Sequence, residues 1–534
     1  MRANDRRAAP GTSWADPAVR ALLAAGGVGR EVPRTRQIFV NRNLRMDRIQ
    51  AVGFDMDYTL AIYRLGPVEG LAFELTRDRL VDRLGYPARL RDMAYDPEFV
   101  IRGLVMDKQT GNIFKMDRHN HVGRCFHGTH PLPSDEIKRL YREEKIHLSL
   151  PRFAWLDTLF SLPEACLFAG IVDALEAEGR TGDYARVYDD IRTTIDQVHA
   201  DGSLKDLVRA DMGRFVIRDL DLGPALHKLR SGGKKLFLLT NSAWDYTDVV
   251  MAHVLDGVLP EYPSWRNYFD FVVTAARKPG FFSEKRPIVE LGPDGEPLGE
   301  ARSLERGSIY QGGSLAELER LAGVGGERIL YVGDHIYGDI LRSRRDSLWR
   351  TCMVVEELER ELAWLDAKRD ALEEMARLEE IRARLGDELS AHRSALNAIE
   401  RRLEREDPPE PERASLEDER RTAKAELDLL RRAHRDADVR IAELEDEVER
   451  GYNRHWGLVF KEGHENSRFG EQIEDYACIY SSRASNFLFY SPMEYFRSPR
   501  AAMPHERPGV PLAPFGDEHG LPRAAARPSK AAKP

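Results

Sequence analysis

Asp55 and Asp57, in Asp55-Met56-Asp57-Tyr58-Thr59, are two carboxylates directly after an apolar run. A carboxylate at a strand end can attack phosphorus and form an aspartyl-phosphate. A second one two positions on can point back to the same side, protonate the leaving oxygen and deprotonate the incoming water. Acidic groups beside a dianionic phosphate need a cation, and oxygen donors of this kind suit Mg²⁺. Asp334 and Asp339, beside Gly333 and Gly338, supply further oxygens. Thr240-Asn241-Ser242 offers a hydroxyl and main-chain N–H groups to phosphate oxygens, and Lys278 in Arg277-Lys278-Pro279 adds a compact positive charge.

These groups can meet only if the elements that carry them end at one place. Three short apolar runs precede the polar clusters: Ile49 to Phe54 before Asp55, Lys235 to Leu239 before Thr240, and Ile329 to Gly333 before Asp334. Runs of this length bounded by turn residues, with helical patterns between them, read as buried parallel strands. Ligands of open α/β sheets sit at the carboxyl ends of the strands, so the three clusters are expected to converge.

The interval from Tyr63 to about Leu229 is too long for a crossover and holds helical patterns of its own (Leu159 to Leu175, Tyr188 to His199), so a cap inserted after the first strand is expected. Further on, Leu385, His392 and Ile399 interleave with Leu389, Leu396 and Leu403 at heptad spacing. Past Pro408-Pro409-Glu410-Pro411, Leu416, Ala423, Leu430, Ala437 and Leu444 interleave with Leu427, His434, Ile441 and Val448. Two heptad seams around a proline-rich break predict an antiparallel coiled-coil hairpin. The aromatic stretch from Trp456 to Glu506 is expected to pack back on the body or to form a subunit contact.

The 534 residues, 42% of them hydrophobic, allow a substantial core and exclude global disorder. The net charge of −9 is uneven: residues 356–450 hold 30 acidic and 19 basic side chains, a net of −11 that leaves the rest at +2. The acidity therefore belongs to the hairpin, and the mild overall charge argues neither for nor against a nucleic-acid partner of the rest. Cys125, Cys166, Cys352 and Cys478 lie far apart without a CxxC pair, which fits neither a zinc site nor a dense disulfide scaffold and suggests a reducing cytoplasm. No apolar run approaches a membrane span, and Met1 to Gly29 lacks a signal-peptide core. Ala21-Leu22-Leu23-Ala24-Ala25 reads instead as the core of a small docking helix. The expected division is an arm over 1–45, a core over 46–63 and 230–355, a cap over 64–229, the hairpin over 356–450, the aromatic segment over 451–506 and a disordered tail over 507–534.

The ordered set DxDxT, TNS, Lys and GDxxxxD resembles the haloacid-dehalogenase superfamily of phosphohydrolases. Phe54 to Ala61, Ala276 to Pro279 with Phe281-Phe282, Tyr310 to Ser314 and Tyr331 to Leu341 are similar to the cytosolic purine 5′-nucleotidases, the type II enzymes that prefer IMP and GMP. The resemblance runs from about Arg48 to Glu506 and implies an α/β fold, a Rossmannoid parallel sheet with an inserted cap and the hairpin. It implies Asp55 as nucleophile and Asp57 as acid/base. Mg²⁺ would be held by the Asp55 carboxylate, the Asp57 carbonyl and Asp334, with Asp339 holding the metal's water shell or Lys278. Thr240, Asn241, Ser242 and Lys278 would bind the phosphate.

The cap segment Ile191 to His199, followed by Gly202-Ser203-Leu204-Lys205, resembles the family's base-reading element. The resemblance assigns Arg192, Asp196, His199 and Lys205 to purine and ribose, and Phe160 to stacking on the base. Arg192, Asp196 and His199 share one face of a helix by their spacing. Arg192 can donate to the 6-oxo oxygen and N7 of hypoxanthine or guanine, and Asp196 can accept from N1–H. Ala200 departs from the pattern where the family often has a second aromatic. Asp157, Gln472 and Tyr476 match an effector region, but Asp157 and Asp475 add negative charge that would oppose a polyanionic activator.

The implied function is hydrolysis of purine nucleoside monophosphates, with phosphotransfer to a nucleoside as a side reaction. The alternatives are a phosphatase for another phosphomonoester, such as a sugar phosphate, and a coiled-coil scaffold on a retained phosphatase body. The expected partners are the nucleotide, further copies of the chain in a dimer or tetramer, and an unknown protein on the hairpin; neither nucleic acid nor membrane is expected.

Overall fold

Seven parallel strands build the centre of a ten-stranded sheet. The structure, a computed structural model, describes Pro17 and residues 32–500, apart from 143–145, 181, 342–346 and 406–407. Most of the expected arm, the tail and the expected docking-helix core Ala21–Ala25 therefore lie outside the described residues. In chain order the strands of the main sheet are β1 (Phe39–Val40), β2 (Ala51–Phe54), β3 (Lys235–Leu239), β4 (Phe271–Thr274), β5 (Ile288–Leu291), β6 (Pro297–Glu300), β7 (Ile309–Gly312), β8 (Ile329–Gly333), β9 (Arg350–Val354) and β10 (Ile479–Ser481). They lie in the order β1-β10-β9-β8-β2-β3-β4-β7-β5-β6. Strands β10 to β7 run parallel, and β1, β5 and β6 close the edges antiparallel.

β2, β3 and β8 are the three apolar runs of the sequence, and they are neighbours: Phe54 pairs with Leu238 on one side and Val332 on the other. Every residue of β2 and β8 is buried, as expected of strands covered on both faces. Gly53 fits the middle of β2 because a Cβ there would stand 2.2 Å from the Phe237 ring on β3. The strand after the hairpin was not legible as such. Ile479–Ser481 joins the sheet beside β9, so the aromatic segment returns to the body, where Trp456, Phe469 and Phe487 are buried.

The region between β2 and β3 is a helical layer with its own five-stranded antiparallel sheet. The helices are α1 (Leu65–Leu84), α2 (Leu162–Glu176), α3 (Tyr184–Ala200) and α4 (Ser203–Ala210). The sheet, over residues 104–155, is a feature the helical patterns did not announce. Val216–Ile217 pairs back onto Ile62–Tyr63 and closes the base of this region.

The hairpin consists of α5 (Arg369–Arg405) and α6 (Glu410–Tyr452), with Pro409 capping the second arm. Leu416, Ala423, Leu427, Ala437, Ile441, Leu444 and Val448 form its buried seam, the heptad positions of the sequence. The segment Glu357–Ala367, expected to be part of the hairpin, is a separate helix whose Leu358 and Leu362 are buried in the body. Among the described residues no helix is long and apolar enough to cross a membrane.

Candidate active site

The shared register of β2, β3 and β8 places their three C-terminal ends side by side. The Asp55 N–H donates to the Val332 carbonyl at 2.9 Å, so the chain is still held to β8 where the carboxylate leaves the sheet. It then turns sharply: the N–H groups of Thr59, Leu60 and Ala61 all approach the Met56 carbonyl, at 3.2, 3.0 and 2.9 Å. Tyr58 takes a left-handed conformation (φ 54°) to make this turn, a strained choice for an aromatic residue beside a reactive group.

Carboxylate oxygens of Asp55, Asp334 and Asp339 lie within 4.8 Å of one another. The Lys278 ammonium sits among them, 2.8 Å from Asp55 Oδ1 and 2.6 Å from Asp339 Oδ1, and donates to the Tyr331 hydroxyl at 2.8 Å. Asn241 fixes this lysine through its main chain: Nδ2 donates to the Lys278 carbonyl at 3.0 Å, and Oδ1 accepts from the Lys278 N–H at 2.6 Å. Asp339 can fold over the strand end because Gly333 has no side chain; a Cβ would stand 2.6 Å from Asp339 Oδ2.

One lysine does not balance three buried acids. Burial pushes the Asp55 carboxyl up to about 7; Lys278 opposes the shift, and Asp339 and Asp57 add to it. Asp334 is driven well above the carboxylate range by burial, then by Asp339 and Asp55. Burial works against the charge on Lys278, but Asp339 and Asp55 outweigh it and hold the ammonium well above its ordinary pKa. Asp334 Oδ2 is buried without a hydrogen-bond partner among the described residues. Surplus negative charge, clustered oxygen donors and one orphaned carboxylate oxygen together fit a hard divalent cation.

Asp57 faces elsewhere. Its Oδ1 accepts from the Tyr63 hydroxyl at 2.6 Å and its Oδ2 from the Ser242 hydroxyl at 2.8 Å; the Tyr63 and Tyr246 hydroxyls are 3.1 Å apart. Burial and then Asp57 itself raise the Tyr63 phenol well above its usual pKa, so it stays a neutral donor. The Thr240 hydroxyl accepts from the Ser242 N–H at 3.1 Å, which makes the TNS turn a rigid piece. The side chains of Asn241 and Ser242 thus position Lys278 and Asp57.

The cap residues meet this site. Phe160, Arg192, Asp196, His199 and Lys205 line one pocket of about 340 Å³ together with Asp57, Asn241 and Ser242. Phe160 stands in its wall, edge-on to Tyr58 at 4.8 Å and to His199 at 5.6 Å. Arg192 donates to Glu164 at 2.9 Å and, from Nε and Nη2, to both oxygens of Asp196 at 3.2 and 2.8 Å. A guanidinium has five N–H donors, so one on each terminal nitrogen is left for a ligand. Burial, helped by Lys205, lowers the His199 pKa to about 4, so its ring is neutral near pH 7. Lys205 lies over the Tyr246 ring at 5.0 Å.

Of the three effector-region residues, Asp157 approaches His335 at 3.6 Å. Gln472 and Tyr476 are on the helix Arg468–Tyr476, where Gln472 Oε1 is buried without a partner among the described residues. Tyr63, Tyr246, Tyr331 and Arg102 were not anticipated. Arg102 is buried, donates to the Asp334 carbonyl at 3.1 Å and pairs with Glu357. Only Tyr331 carried a signal, a hydroxyl inside an otherwise apolar strand; Tyr63 stands six residues from Asp57 and Tyr246 four from Ser242 with nothing in their residue type to mark them, and Arg102 comes from the cap.

The 5′ nucleotidase family matches this chain over residues 38–508, nearly all of the described part. The chain belongs to that family. A 5′-nucleotidase domain-containing protein of Dictyostelium discoideum is 28% identical over 480 residues, covering 88% of this chain and 75% of its own. The 5′-nucleotidase domain-containing protein 2 of Rattus norvegicus is 34% identical and that of Homo sapiens 33%, each over 339 residues and 61% of this chain. The chain spans only 60% and 64% of the length of those two proteins. A solved 2-haloacid dehalogenase from Pseudomonas syringae pv. Tomato DC3000 aligns with 57% of this chain and 86% of its own at 18% identity, with a TM-score of 0.20. As a family member the protein is an enzyme of the 5′-nucleotidase type, a phosphoric monoester hydrolase.

Proposed function

We propose that the protein is a Mg²⁺-dependent 5′-nucleotidase for purine nucleoside monophosphates, with IMP and GMP preferred. The observation that carries this reading is the 340 Å³ pocket, which joins the acid/base carboxylate to the base-side residues Phe160, Arg192, Asp196 and His199. In this reading an Asp55 oxygen attacks phosphorus and the bond from phosphorus to the 5′-oxygen breaks. Asp57 gives its proton to that oxygen, and the nucleoside leaves. Water then attacks the aspartyl-phosphate, Asp57 takes its proton, and release of phosphate restores Asp55.

Asp55, Asp334 and the Asp57 carbonyl would hold Mg²⁺, with Asp339 behind them, and the ion would supply charge compensation for the transferring group. Lys278 adds fixed positive charge, and Asn241 keeps it in place. Tyr63 and Ser242 orient the Asp57 carboxylate toward the leaving oxygen. The two remaining Arg192 N–H groups suit the 6-oxo oxygen and N7 of hypoxanthine or guanine, whereas the amino group of adenine would oppose one of them. A nucleoside hydroxyl replacing water would give phosphotransfer by the same steps. The four cysteines are free and buried, which suits a reducing cytoplasm.

The test is phosphate release from IMP, GMP, AMP and glucose 6-phosphate, each with Mg²⁺ and with chelator. A kcat/KM for IMP and GMP at least about tenfold above AMP, lost on chelation, is the expected result. A preference for glucose 6-phosphate would remove the purine assignment, and full activity in chelator would remove the metal.

A further inference from the structure

The carboxylate of Asp334 belongs to the acid cluster, and its main-chain carbonyl accepts from Arg102 Nη1 at 3.1 Å. Arg102 spends the rest of its fork on Glu357: Nε donates to one carboxylate oxygen at 2.8 Å and Nη2 to the other. The guanidinium also lies over the Phe469 ring, 5.2 Å from its centroid. No part of the Arg102 side chain reaches solvent. Burial works against its charge, but Glu357, Asp334 and Glu356 outweigh it and hold its pKa above the ordinary arginine value.

The topology explains how one side chain meets all three. β8 and β9 are parallel neighbours, with Gly333 paired to Met353, so Asp334 leaves one strand end and Glu357 follows the other. Arg102 arrives from the cap side, just before the strand Leu104–Asp107, and spans the two exits. Gly103 permits the approach: its φ is 88°, and a Cβ there would stand 2.6 Å from the Phe469 Cβ. Glu357 is the first residue of the helix Glu357–Ala367, and α5 of the hairpin begins at Arg369. The same guanidinium therefore joins the loop of Asp334 to the hairpin root. A lysine would offer only a point charge where arginine offers a rigid planar fork.

We propose that Arg102 is a positioning residue for Asp334, holding its carbonyl so that its carboxylate keeps the aim a metal ion needs, and that Glu357 acts through Arg102 by fixing the plane of the fork. This rests on the reading of Asp55, Asp334 and Asp339 as a Mg²⁺ site. The sign of the effect separates positioning from charge. As a nearby cation Arg102 repels Mg²⁺, so loss of its charge alone would tighten binding. Loss of positioning weakens it, by about 10- to 100-fold where a partner behind a metal ligand is removed.

The test is calorimetric titration of Mg²⁺ into the metal-free full chain. Arg102→Lys, which keeps the charge and loses the fork, and Arg102→Met, which loses both, should each raise Kd by about tenfold or more. Glu357→Gln should raise it severalfold in the wild-type background and not at all in Arg102→Met, since its effect passes through the arginine. An unchanged Kd in Arg102→Lys, or a tighter one in Arg102→Met, overturns the positioning role. A Glu357→Gln effect that persists in Arg102→Met overturns the link to the hairpin root. Glu357→Gln keeps the size and shape of the side chain and decides alone if the arginine variants do not fold, an unchanged Kd overturning the proposal. If wild type and Asp334→Asn bind Mg²⁺ with the same Kd, the metal reading itself falls, and the proposal falls with it.

Discussion

In the cleft, Asp55, Asp334 and Asp339 are buried, and Asp55 and Asp339 share one lysine; along the hairpin, Arg440 with Glu374, Lys424 with Glu400 and Arg402 with Glu412 join the arms in contact with water. Both regions are rich in charge, and the same residue types do different work in each. Out of water a carboxylate without a partner is expensive, so pKa values shift and each neighbour matters. In water, exposed pairs are screened and nearly interchangeable, and the seam of Leu416, Leu427, Ile441 and Leu444 holds the arms together. Chemistry is therefore confined to the region where charges are few, buried and over-constrained.

Five variants probe that contrast, beginning with the largest effect. Asp55→Asn should reduce phosphate release to about 10⁻⁴ of wild type or less, because no neighbouring group can take over the attack on phosphorus. Asn241→Ala releases both main-chain contacts to Lys278 and should lower kcat by about 10- to 100-fold with the thermal midpoint nearly unchanged. If kcat were kept, the lysine would not need its clamp. Tyr63→Phe removes one donor to Asp57 and should lower kcat by about tenfold while moving a limb of the pH profile. An unmoved profile would make Tyr63 a packing residue only.

The next effect is on stability against pH. His199 has a folded pKa of about 4, below its ordinary value of 6.5. Its contribution is complete above 6.5 and is lost as pH falls from 6.5 through 4, because the folded state resists the proton that the unfolded state accepts. Denaturant midpoints of wild type should fall over that window, and His199→Phe should lack this component. The smallest effect belongs to the hairpin: Arg440→Ala should leave the thermal midpoint and kcat unchanged within error. A clear loss of either would mean that the two regions are not as different as their exposure indicates.

The legible part of the molecule follows the same division. Strands ending in Asp55, Thr240 and Asp334, and heptads in the hairpin, repeat a short local pattern that burial imposes on adjacent residues. The helical spacing of Arg192, Asp196 and His199 likewise survives into α3. What was hidden depends on how the chain folds back: the tight turn at Met56 lets Tyr63 return to Asp57 six residues earlier, and Arg102 reaches Asp334 from the cap. The cap's antiparallel sheet was missed because its strands are short and buried on both faces at Leu104–Asp107 and Asn112–Met116, which removes the alternation that marks a half-exposed strand. The aromatics of the C-terminal segment announced packing but not the strand Ile479–Ser481.

The central claim is that Asp55 carries the phosphoryl group during turnover. Its most direct test is rapid acid quench of the enzyme turning over IMP with Mg²⁺, followed by peptide mass analysis. The account predicts a single acid-stable, hydroxylamine-labile phosphoryl group on the peptide carrying Asp55, absent from Asp55→Asn. A phosphoryl group on another residue, or none while phosphate is being released, would contradict it.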